Sequence, residues 1–71
     1  MKQYTVVIGI YNENTTEQIS LKEIGIQAKD VYEAHKQALL KCVFIENQTV
    51  LRVIDPINNT IKFDLLKGFI S

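Results

Sequence analysis

The clearest hydrophobic pattern in the chain is residues 30–43, DVYEAHKQALLKCV. At about 100° per residue, Val31, Ala34, Ala38 and Cys42 fall on one stripe, flanked by Tyr32, Leu39 and Val43. Glu33, Lys36 and Gln37 fall on the other side. Asp30 is a good N-cap, and Glu33 three residues later completes the spacing of a capping box. Both acids suit the positive end of the helix dipole, and Lys41 suits the negative end. A helix this short is marginal in isolation and must gain its stability by packing the stripe on a partner. The alanines let it lie close against a sheet. His35 falls inside the apolar stripe, and Leu40 falls on the polar face.

Before the helix the period changes to two. Residues 3–11 place Tyr4, Val6, Ile8 and Ile10 on one face and Thr5, Val7, Gly9 and Tyr11 on the other. The second set is only weakly polar, which predicts a central strand or a covered outer face. Gly9 in mid-strand marks a bulge or a close approach to the backbone. Residues 12–16, NENTT, form a turn by composition. In the strand that follows, Ile19 and Leu21 share one parity while Ile24, Ile26 and Ala28 share the other. One face can hold both groups only if a residue is inserted, and a bulge near Lys22 and Glu23 is the simplest device.

After the helix, residues 44–48 read as a connection in which Phe44 closes the end of the core. Residues 49–55 form a third strand whose parity is decided by Arg52, since burying a lone arginine is too costly. Leu51 and Val53 are therefore expected inward, with Val50, Arg52 and Ile54 outward. Pro56 ends that strand, and Asn58 and Asn59 suit the positive φ angles of a tight turn. Residues 60–64 form the fourth strand with Ile61 and Phe63 inward. The tail from Leu65 to Ile70 carries four large apolar residues, which is unusual for a solvated terminus.

These elements predict a single two-layer α+β domain over residues 1–71. Its order is ββαββ: a four-stranded antiparallel sheet with one helix packed on one face. One helix covers one side only. The other face would present Val7, Tyr11, Val50, Arg52 and Ile54 inside a rim of Thr5, Ser20, Thr60 and Lys62, which is the character of a contact surface. With 71 residues and a single cysteine, no intrachain disulfide can staple so small a core. Self-association is the natural remedy.

Charge and chemistry narrow the function classes. Eight basic and eight acidic residues cancel, which argues against binding nucleic acid by neutralising phosphates. No run of 18 apolar residues predicts a transmembrane helix, and the first eleven residues read as a strand and not as a secretion signal. The expected compartment is a reducing cytoplasm. Lysine, isoleucine and asparagine are frequent and Arg52 is the sole arginine, a bias of AT-rich coding DNA that points to a bacterial or phage source.

No cofactor and no metal are expected. His35 and Cys42 are seven residues apart, about 10 Å along a helix axis, too far for a nucleophile–base hydrogen bond and wrong for a metal pair. Capping accounts for Asp30 and Glu33, and Gly9, Gly25 and Gly68 are too isolated to cradle phosphate. The N-x-[ST] triplets at Asn14, Asn47 and Asn58 fall in polar turns and carry no glycosylation signal without secretion.

The leading expectation is a non-enzymatic interaction or regulatory protein that forms a homodimer and binds a further protein. Its contact residues would come from Val7, Tyr11, Leu40, Val50, Arg52, Ile54, Leu66 and Phe69, through the outer sheet face or the tail. An alternative is a single-stranded nucleic-acid module stacking and clamping its ligand with Tyr11, Arg52 and Lys62. A third is a site centred on His35.

Overall fold

A computed structural model describes residues 1–12, 14, 15, 17–43 and 47–70, with the Val43 side chain outside the description. Phe44, expected to close the core, lies outside the described residues. The elements are β1 (Lys2–Tyr11), β2 (Gln18–Ala28), α1 (Val31–Val43), β3 (Gln48–Asp55), β4 (Thr60–Asp64) and β5 (Gly68–Phe69). The helix lies on an antiparallel sheet, so the α+β class holds. Among the described residues the sheet has five strands instead of four, in the spatial order β2-β1-β3-β4-β5. The fifth is the tail, which returns beside β4 with Phe63 opposite Phe69. Gly68 turns the chain with φ +79°, a conformation other residues rarely adopt.

Because β1 runs antiparallel to both neighbours, β2 and β3 are parallel to each other with β1 between them. The helix makes the crossover and packs over β1, β2 and β3. Its start follows the expected cap: the Glu33 amide donates to Asp30 Oδ1 at 2.9 Å. Glu33 Oε1 in turn accepts from the Lys29 amide at 3.4 Å, one residue before the usual capping-box partner. Ala34 and Ala38 are fully buried, which brings the helix close to the strands. Beneath them lie Tyr4, Val6, Ile8, Ile26, Ala28, Val50, Val53 and Phe63, with Cys42 at the far end.

Strand irregularities revise several expected orientations. In β3 the pairing steps from Val7 opposite Arg52 to Ile8 opposite Val50, so Leu51 is an inserted residue. A bulge of this kind reverses the alternation. Val50 and Val53 therefore both face the helix, and Val50, expected on the outer face, is only 1 % exposed. Leu51, expected inward, lies on the outer side against Gly9. In β4 a second shift makes Lys62 the extra residue, so Phe63 faces the helix while Ile61, expected inward, stands opposite the outward Ile54.

The bulge expected near Lys22 and Glu23 is absent. Pairing of β1 with β2 runs unbroken from Lys2–Ala28 to Ile10–Ser20, and the shift comes one step later, at Ile19. Leu21 is consequently opposite Gly9 on the outer face, while Ile24, Ile26 and Ala28 share the helix face. Period-two geometry leaves no other arrangement for an unbroken ladder.

At the opposite end of β1, Lys2 pairs with the carboxylate of the nearly buried Asp55. That hydrogen bond, together with one from the Ile57 amide, holds the Asp55 carboxyl below the usual range. Asn59 takes positive φ in the turn that follows, as expected of that asparagine pair.

Candidate docking face

The face opposite the helix is built from alternate residues of β1, its partners on β2 and β3, and the ends of β4. Val7 sits at its middle, with Thr5 and Gly9 beside it, Glu23 and Leu21 on β2, and Arg52, Ile54 and Ile61 on the other side. No described element packs over these residues, since the helix and the Phe69 ring both lie on the other side. The face is nevertheless not a uniform apolar sheet. Val7, expected as an accessible contact, is 4 % exposed, hidden among its own neighbours. Accessible apolar surface comes instead from Leu21, Ile61 and the residues at one corner.

That corner is a cleft of about 280 Å³ lined by Tyr11, Gln18, Leu51, Arg52, Asp64, Leu65 and Leu66. Three local features create it. The Leu51 bulge turns both Leu51 and Arg52 to this side. Gly9 leaves room for Leu51 to lie across β1: a Cβ there would meet Leu51 Cδ1 at 2.9 Å and the Tyr11 ring at 3.1 Å. The turn after β4 is then fastened to the bulge, because the Leu65 amide donates to the Leu51 carbonyl at 2.9 Å. Asp64 divides its carboxylate between two tasks. Oδ1 accepts from the Leu66 amide at 2.9 Å, and Oδ2 lies 3.7 Å from Arg52 Nε. Beyond this turn the Leu66 side chain projects into solvent, 93 % exposed.

The expected contact residues thus separate into groups. Tyr11, Arg52 and Leu66 come together in the cleft, with Ile54 farther along the same face. Leu40 is 56 % exposed on the helix, on the other side of the molecule. Phe69 is on that other side too, with its ring centroid 4.4 Å from Tyr32, 5.2 Å from His35 and 5.0 Å from Phe63. Val50 is in the core. Leu51 and Asp64 were not expected in a contact set, and Leu65 was expected only as the start of the apolar tail. The available signal was Gly9, whose missing side chain marks the strand crossing where Leu51 lies flat.

The other candidate chemistries are dispersed or occupied. Tyr11 and Arg52 share the cleft, but Lys62 is outside it, and the nearby Asp64 offsets the arginine's charge. The His35 ring lies tilted against Phe63, centroids 4.2 Å apart, and burial lowers its pKa, favouring the neutral imidazole. Among the described residues it makes no hydrogen bond or ion pair. Burial pushes the Cys42 thiol up, away from the reactive thiolate. A second hollow, about 320 Å³ around Lys29, Asp30, Tyr32, Glu33 and Lys36, contains the two acids already engaged at the helix start. Among the described residues no three His, Cys, Asp or Glu side chains gather as metal ligands. Among the described residues no helix is long and apolar enough to cross a membrane. No protein-family model, curated protein or solved structure matches the chain.

Proposed function

We propose that the chain is a small non-enzymatic interaction protein that acts as a homodimer through the sheet face opposite its helix. The observation that carries this reading is the one-sided architecture of the described residues: five strands, one helix, and accessible apolar groups around a cleft on the bare side. A contact surface combining an aromatic, an arginine and leucines has the composition of interface anchors. Zero net charge removes the long-range repulsion that would oppose pairing of like chains.

Light scattering on the wild-type protein and on Ile54→Lys and Ile61→Lys tests this. Wild type at tens of micromolar is expected at twice the 8.1 kDa chain mass. The lysine variants are expected at the chain mass with unchanged circular dichroism. A wild-type monomer, or lysine variants that dimerise as well as wild type, would overturn the reading.

A further inference from the structure

An interface formed about a two-fold axis must match itself: whatever residue i touches across the axis, the partner's residue i touches in return. One corner of the bare face has both halves of such a match. It offers a hollow of about 280 Å³ walled by Tyr11, Leu51 and Leu65, and at its rim a leucine, Leu66, that nothing packs against. It also offers one cation and one anion side by side. Arg52 Nε and Asp64 Oδ2 are 3.7 Å apart, beyond hydrogen-bond reach. The two form a loose ion pair at the surface, and the guanidinium's remaining donors have no described partner.

We infer that a second copy of this chain occupies the corner, with each Leu66 entering the other's cleft and each Arg52 meeting the other's Asp64. This rests on the homodimer reading above and names its contact. A cation beside an anion presents little net charge to a phosphate, an acidic peptide or a basic one. The same pair is complementary to its own image. A leucine side chain fits the hollow, and an apolar residue left in water gains most by being covered. Opposed charges also fix orientation and suppress wrong partners.

The experiment is a charge exchange read by native mass spectrometry and sedimentation. Arg52→Asp alone sets two acids against each other, and Asp64→Arg alone sets two arginines. Each is expected to weaken the homodimer by roughly tenfold or more. Mixing the two variants restores both opposite-charge contacts, and the expected product is a heterodimer. Leu66→Lys, at a solvated position, is expected to be folded and monomeric. It decides the matter if Asp64→Arg unfolds through loss of the turn bond to the Leu66 amide. A wild-type dimer that survives Arg52→Asp and Leu66→Lys would overturn this contact and leave the homodimer reading standing. Single variants that part but do not pair when mixed would overturn the exchange. A wild-type monomer would overturn both.

Discussion

Replacing Gly9 by alanine tests how the cleft is built. A Cβ placed there would lie 2.9 Å from Leu51 Cδ1 and 3.2 Å from Cγ, well inside the 3.5–4.0 Å optimum for carbon pairs. Overpacking of this sort costs about 1–3 kcal/mol, and the end of a half-exposed leucine can swing aside, so a cost near ~1 kcal/mol applies. Against it stands a gain of about 0.4–1 kcal/mol from the stiffer unfolded chain. The net effect of Gly9→Ala is therefore a loss of about 0–0.6 kcal/mol. Leu51→Ala alone should cost about 1–2 kcal/mol, less than a fully buried leucine because the side chain is only partly covered. In the Leu51→Ala background the contact with Leu51 is gone and only the 3.1 Å approach to the Tyr11 ring remains, so Gly9→Ala should be less costly there than in the wild type. The coupling is then about 1 kcal/mol. Urea unfolding of the four proteins at one fixed concentration measures it. Effects that add to within about 0.3 kcal/mol, as they do for sites without contact, would refute this placement of Leu51 across Gly9.

Three further outcomes follow from the helix side. Phe69→Ala removes a ring that is 42 % exposed yet contacts Tyr32, His35 and Phe63; about 2 kcal/mol of stability should be lost, with faster amide exchange at Ile70, whose amide donates to the Lys62 carbonyl. Loss below about 0.5 kcal/mol would mean the tail is not seated. Asp30→Ala should cost about 1 kcal/mol in thermal or urea unfolding, and Asp30→Asn much less, because either oxygen can accept from the Glu33 amide. His35 is the sole histidine, and burial among aromatic rings lowers its folded pKa below 6.5. The unfolded chain then binds the proton more readily, so stability is full above that pH and declines as pH falls through it. Unfolding free energies that rise between pH 7.5 and 5.5 would contradict the packing around the ring.

How much of this was legible from residues alone depends on whether alternation survives in the fold. The helix was legible because the Asp30 cap, the alanine stripe and Lys41 all agree: Asp30 accepts from the Glu33 amide, Ala34 and Ala38 are buried against the sheet, and Lys41 lies in the last turn. The unbroken parts of the strands were legible as well: Tyr4, Val6, Ile8, Val53 and Phe63 face the helix as their parity requires. Parity fails at bulges. Arg52 was correctly held out of the core, yet the inserted Leu51 moved Val50 inward, and the extra Lys62 moved Ile61 outward. A bulge leaves little mark in a short apolar strand, because the residues on both sides of it are acceptable on either face. In β2 the error ran the other way. Shared parity predicts a bulge that buries Leu21, whereas the unbroken ladder leaves Leu21 half exposed opposite Gly9. The tail was recognised as too apolar for water, but its return as a strand depends on Gly68 and the Asp64 turn, a three-dimensional closure that alternation does not encode.

The most direct measurement is the concentration dependence of backbone amide chemical shifts in the wild-type protein, followed from micromolar to millimolar. Shifts at Tyr11, Leu51, Arg52, Ile54 and Leu66 should move together along one binding curve, while those at Tyr32, Lys36 and Leu40 stay fixed. Spectra that do not change with concentration in a protein of monomer mass, or shifts confined to the helix, would contradict the claim that the bare side of this sheet is a contact surface.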